Sequence, residues 1–151
     1  SGRKLGRPIK GVITGDGPLK EDLKRQAYNM EIDFWFTGWL EQPEEVWGHM
    51  KNSKVMVHTS QREGFGFAAL EAMACGIPVI AMDEETTAIG ELIDHGKNGY
   101  ITSPDPESVS EAILTALDNY ESMAPSCVDR ANSFSWEASG KSLVRAYTLN
   151  G

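Results

Sequence analysis

Apolar positions along the chain keep two rhythms by turns, short runs or alternations and longer stretches at helical spacing. Residues 9–14 (IKGVIT) predict a short strand, GDGP a turn, and residues 18–30 (PLKEDLKRQAYNM) a helix with Pro18 near its first position. Residues 33–37 (DFWFT) predict a second strand. Pro43 opens a helix over PEEVWGHMKN, where Val46, Trp47 and Met50 recur at helical spacing, and KVMVHTS (54–60) predicts a third strand. A glycine loop, EGFGF, leads into a helix through LEAMAC that Gly76 should end, and the apolar PVIAM reads as a buried strand with Pro78 at its tolerated first position. TAIGELID predicts a short helix, Gly96 to Gly99 a turn, and YIT a last strand. From Pro106 onward the pattern is helical: residues 106–120, a break at Pro125, and a C-terminal amphipathic helix over 133–149 with Ser135 as its cap. Strand–helix alternation with short connections predicts an α/β fold, a Rossmann-like parallel sheet with helices on both faces.

Composition narrows the classes. A chain of 151 residues is one ordinary domain, able to bury roughly 68–70% of its extended surface. Its 40% apolar and 24% charged content is that of a soluble globular protein. The formal charge of −8, with 14 Lys and Arg scattered along the chain, excludes a nucleic-acid or anionic-membrane face, so an anionic ligand would have to be held by local dipoles. No apolar run approaches the roughly 20 residues of a membrane span, and SGRKLGRPIKG lacks the apolar stretch of a signal peptide. A cytosolic location is expected. Cys75 and Cys127 match no metal or redox spacing and are expected as buried free thiols. Trp35, Trp47 and Trp136 are expected in the core or docking helices, with Trp39 set apart at a strand exit; His49, His58 and His95 show no ligand spacing and are expected as structural, with His58, just ahead of the glycine loop, the exception.

That loop carries the chemistry. In an open parallel sheet, ligands occupy the crevice beyond the carboxyl ends of the strands, which is where Glu63 should lie. Gly64 and Gly66 present no side chain, so the amides of residues 64–67 can approach a ligand, and a helix starting about Phe67 points its N-terminus the same way. That end attracts anions. Glu71, one turn further on and on the face of Phe67, would repel phosphate and instead suits a vicinal diol such as that of a ribose. Glu63, beyond the amides, would face whatever a diphosphate carries.

With VITGDGP, FTGWL, SQREGFGFAALEAMACGIPVIA, KNGYI and FSWE in this order, the chain resembles the retaining nucleotide-sugar glycosyltransferases of family four. Their GT-B fold sets two Rossmann-like domains face to face, and the resemblance implies the C-terminal, donor-binding one. In it Glu63 and Glu71 form the E-x7-E motif. The resemblance implies that Glu63 contacts the donor sugar near the reacting carbon and that Glu71 binds the ribose. It also implies that the amides of Phe65, Gly66 and Phe67 hold sugar hydroxyls and diphosphate, with Trp39 and Leu40 beside the base and Gly15 in a donor-lining turn. The implied reaction is transfer of a hexose from a UDP- or GDP-sugar to an acceptor hydroxyl with retention, assisted by protein dipoles. No Asp-x-Asp pair for a divalent cation is found, and no cofactor is expected.

Two departures accompany the match. Thr87 and Ala88 replace a glycine pair that the family carries ahead of the position of Glu91, which would narrow the donor pocket or alter sugar preference. The chain also starts at the family's second strand of this domain, so a fragment is expected. The acceptor-binding domain, the central strand in a 3-2-1-4-5-6 order and a clamp of Arg and Lys would then lie upstream, and Ser1-Gly2 is read as a cloning remnant. Arg3 and Lys10 echo the clamp without room for the helix between. Without the central strand, the first strand here would pair with that at 54–59, or an apolar seam would stay open. The full enzyme could dock peripherally on a membrane through its other half. The rival readings are a non-catalytic nucleotide-sugar-binding or partner-docking module and a dinucleotide-dependent oxidoreductase. Lys20 in place of a third glycine, and the absence of an acid ending the strand at Thr37, count against the second.

Overall fold

The computed structural model describes residues 8–83 and 88–148. Ser1-Gly2, Arg3, Thr87, the acidic residues at 84 and 85, and the last residues of the expected C-terminal helix lie outside them. The chain divides into two compact units, Ser1–Asn52 and Ser53–Gly151.

Unit one runs β1 (Gly11–Thr14), α1 (Lys20–Asn29), β2 (Phe34–Gly38) and α2 (Pro43–Lys51). The two strands pair in parallel, Gly11 opposite Phe34 through Ile13 opposite Phe36, with the register shifting before Thr14 meets Gly38. Parallel pairing of consecutive strands requires a crossover, and α1 supplies it. Pro43 takes the first helical position of α2, where no backbone donor is needed, and the Glu45 carboxylate accepts from the Gln42 amide at 3.3 Å to complete a capping box. Lys10, one of the two clamp residues considered from sequence, forms a surface pair with Asp33 at 3.5 Å.

Unit two runs β3 (Met56–His58), α3 (Phe67–Ala74), β4 (Val79–Met82), a 3-10 turn (Ala88–Glu91), β5 (Gly99–Thr102), α4 (Pro106–Asp118), α5 (Tyr120–Asn132) and α6 (Trp136–Thr148). Its sheet is parallel in the order β3-β4-β5. Flanked on both sides, β4 is buried at all four positions, which explains its unbroken apolar run. Ile80 packs with Ala112 and Ala116 of α4, with Val55, Tyr100 and Ile113 around them. Asn98 anchors the turn before β5: its side chain accepts from the Asp94 amide at 2.8 Å and donates to the Leu92 carbonyl at 3.2 Å. The buried Cys127 thiol contacts the Asn98 carbonyl at 3.5 Å, and loss of hydration pushes its pKa up to about 11.

The parallel α/β architecture is therefore present, as two sheets. Pairing of the first strand with residues 54–59 is not among the described ladders: β1 pairs with β2, and β3 with β4. The expected helix at 87–94 is a 3-10 turn over its described part. Pro125 does not break the helix. The break falls at Asn119, whose side chain donates to the Thr115 carbonyl at 2.8 Å while its own carbonyl accepts from the Ser122 hydroxyl at 2.8 Å and the Met123 amide at 3.0 Å. The Asn119 side chain takes up a carbonyl at the end of α4, and Pro125 sits within α5. Cys75 is half-buried, so only Cys127 matches the buried-thiol expectation. The tryptophans are also corrected: Trp35, Trp47 and Trp136 are 60%, 37% and 95% exposed. Trp35 and Trp47 belong to a unit whose described elements are two strands and two helices, with little surface to cover an indole, and Trp35 meets the His49 ring edge-on at 4.9 Å.

Candidate donor site

The helix α3 starts at Phe67 because Gly66 turns the chain into it. Gly66 has φ 87° and ψ 46°, a left-handed conformation that L side chains avoid. A Cβ there would lie 3.3 Å from Leu92 Cδ1 and 3.4 Å from Ile89 Cγ1, so the buried glycine also lets the loop close onto the 3-10 turn. Gly64 is different. Among the described residues nothing lies within 4 Å of a Cβ placed on it, so none of them blocks approach to its backbone.

The residue at the cap of α3, Gly66, has no side chain to bond the first amides, and the first turn carries no acidic residue. The first amides of a helix have no intrahelical acceptor, and the dipole favours negative charge there. An N-terminus left bare in this way attracts an anion by about 0.3–1 kcal/mol, rising to about 2 when partly buried. Phe67 at this end is 70% exposed, and Glu71, four residues on, is exposed; in a helix that spacing sets both on one face.

Glu63 precedes the loop. Its carbonyl accepts from the Ala88 amide at 3.1 Å, and its carboxylate Oε2 lies 3.5 Å from Nε2 of His58, the last residue of β3, with the side chain 31% exposed. Phe65 is held from both sides, its ring 4.9 Å from that of Phe67 and edge-on at 5.6 Å to Phe134. Arg130 lies over Phe134 at 5.1 Å and donates to the Leu92 carbonyl at 3.2 Å and to the Glu91 carbonyl. Arg130 and Phe134 thus tie the 3-10 turn to the glycine loop. Neither was singled out from sequence, since both lie more than sixty residues away; the one signal was the phenylalanine of FSWE.

The remaining predicted residues belong to unit one. Gly15 (φ 110°) donates its amide to the Gly38 carbonyl at 2.8 Å, which brings the GDGP turn beside the strand exit at Trp39 and Leu40. Trp39 is 75% exposed and Leu40 half-buried. The same turn borders a cavity of about 290 Å³ lined by Thr14, Asp16, Pro18, Lys20 and Phe36 among others. The Lys20 ammonium, bonded to Asp16 at 2.9 Å, together with the Gly17 amide, holds the Asp16 carboxyl below its ordinary range. This is a strand-to-helix turn, not a dinucleotide fingerprint.

In unit two the structure brings Glu63, Gly64, Phe65, Gly66, Phe67 and Glu71 onto one loop and helix start. In unit one it brings Gly15 to the strand that ends before Trp39. An anion approached by amides, with carboxylates placed to accept from hydroxyl groups, is what the loop can recognise. Among the described residues no helix is long and apolar enough to cross a membrane.

Comparison with known proteins gives a consistent outcome. A family model described as "Glycosyl transferases group 1" matches residues 2–132. The chain is 33% identical over 134 residues to a GDP-mannose-dependent alpha-(1-6)-phosphatidylinositol dimannoside mannosyltransferase of Mycobacterium tuberculosis, covering 88% of this chain and 34% of that protein. It is 30% identical over 156 residues to a D-inositol 3-phosphate glycosyltransferase of Rhodococcus erythropolis, covering 96% and 35%. The chain therefore spans about a third of the length of the curated relatives it matches. Among solved structures, the lipopolysaccharide outer core galactosyltransferase WaaB superposes with a TM-score of 0.79 at 23% identity, covering 99% of this chain and 44% of that one. Anabaena Alr3699/HepE in complex with UDP-glucose superposes with a TM-score of 0.73 at 24% identity, covering 94% and 41%. These two likenesses concern the fold.

Proposed function

Because the chain belongs to the glycosyl transferases group 1 family, we propose that it is the donor-binding part of a retaining hexosyltransferase that uses a UDP- or GDP-sugar. The amides of residues 64–67 and the start of α3 hold the diphosphate, Glu71 accepts from the ribose hydroxyls, and Glu63 faces the reacting carbon of the sugar. As the sugar leaves, positive charge grows at its anomeric carbon and negative charge on the diphosphate; Glu63 stabilises the first and the loop amides the second, without a metal. The observation that carries this reading is the bare start of α3 at left-handed Gly66, with Glu63 before it and Glu71 one turn inside. The GDP-mannose named for one relative and the UDP-glucose bound in one structural neighbour support a nucleotide-sugar donor. The acceptor is taken up chiefly by an N-terminal domain outside this chain, a cytosolic, membrane-docking setting belongs to the same proposal, and the chain alone turns over nothing.

Calorimetric titration with UDP-glucose and GDP-mannose tests it. One of the two should bind, and Glu71→Ala should weaken it about 10- to 100-fold, as expected for a hydrogen bond to a charged acceptor. Glu63→Ala should bind within about threefold of the parent, while in the full-length protein it should lower kcat by orders of magnitude. Binding of neither nucleotide sugar, or an unchanged affinity in Glu71→Ala, would overturn the proposal.

A further inference from the structure

His58 is 7% exposed at the end of β3, and its two ring nitrogens have different surroundings. Among the described residues the buried Nδ1 has no hydrogen-bond partner, while Nε2 faces the Glu63 carboxylate at 3.5 Å. A buried polar side chain left half unsatisfied is uncommon and asks for an explanation. Among the described residues the acceptor facing this ring is Glu63 Oε2, so the ring proton is best held on Nε2, with the bare lone pair on Nδ1.

Resting on the assignment of Glu63 to the donor sugar, we propose that His58 is a positioning residue for that carboxylate: its Nε2–H holds Oε2 and leaves Oε1 to face the reacting carbon. The Glu63 backbone is already fixed, since its carbonyl accepts from Ala88. What remains free is a side chain with three rotatable bonds, and His58 restrains its far end. The backbone that carries the ring is placed by the sheet, since His58 pairs with Ala81 of the buried strand β4, and the ring itself is buried. A contact of 3.5 Å is longer than an ordinary hydrogen bond, and catalytic contacts commonly tighten when substrate binds. Restraint of this kind raises the rate of the chemical step more than it raises affinity.

The test uses the full-length protein with UDP-glucose and GDP-mannose as donors. His58→Leu should lower kcat by about 10- to 100-fold, with the donor KM within about threefold. His58→Gln, whose amide can donate from a similar position, should recover most of the loss. In a Glu63→Gln background, adding His58→Leu should change kcat by less than about twofold, because residues acting through one another are not additive. A folded His58→Leu with kcat within about twofold of the parent, or an equal loss in both backgrounds, overturns the proposal. Should His58→Leu fail to fold, long-range 1H–15N spectra of the unaltered protein decide: the proton on Nε2 supports it, and the proton on Nδ1 overturns it. If Glu63→Gln keeps full turnover, the donor-site role of Glu63 falls, and the spectra still report whether His58 holds it.

Discussion

Gly64 and Gly66 stand two residues apart, yet a methyl group added to each meets different surroundings. At Gly66 it is strained by the left-handed backbone and crowded by Ile89 and Leu92; at Gly64 it meets none of the described residues. Gly66→Ala should therefore destabilise the protein by roughly 1–2 kcal/mol. Gly64→Ala should melt with the parent while weakening donor affinity, because its methyl enters the space a ligand must use. Paired thermal melts and titrations check both, and a stability loss at Gly64 equal to that at Gly66 would refute the distinction. The sequence made both glycines legible as points of close approach. It could not separate them, since that depends on Ile89 and Leu92, which reach the loop only after β4 has crossed the sheet.

At the scale of elements, the ends of the helices were read best. Pro43, Pro106, Ser135 and the start at Phe67 carry local chemistry that acts within three residues, and each is where the sequence placed it. The Ser135 hydroxyl accepts from the Ala138 amide at 3.2 Å, and Asp105 accepts from Glu107 and Ser108 at 3.0 and 2.9 Å. These bonds, led by that from Ser108, hold the Asp105 carboxyl below its ordinary range. A depressed acid stabilises the fold fully above its unfolded pKa of about 3.9 and loses that contribution as pH falls through the folded value. Asp105→Ala should lower the melting temperature by about 2–4 °C near neutrality, and the gap to the parent should narrow in strong acid; a gap independent of pH would contradict the cap. The misplaced break has an equally local cause. Proline removes one helical bond, but the Asn119 side chain donates to the Thr115 carbonyl while its own carbonyl starts the next helix, and α4 ends there before Pro125 is reached.

Across the whole molecule the two units differ in what they bury. Every apolar core residue, from Ala69 to Cys127, belongs to unit two, whereas among the described residues no side chain of unit one is buried. Local opening is easiest where few apolar contacts must be broken. Amides of β1 and β2 should therefore exchange with deuterium faster than those of β4, with α3 and α5 in the slow class; equal rates in the two sets would disprove the contrast. The order of elements was legible because alternation is written in local periodicity, but the division into two sheets was not, since strand partners are chosen by long-range packing. The tie from Arg130 and Phe134 back to Phe65 sets a limit on shortening the chain. A cut after Asn132 would spare every glycine and glutamate of the loop, and Arg130 as well. It would still remove the ring that fills the gap between them, so the smallest piece that keeps the glycine loop braced must extend past the end of α5.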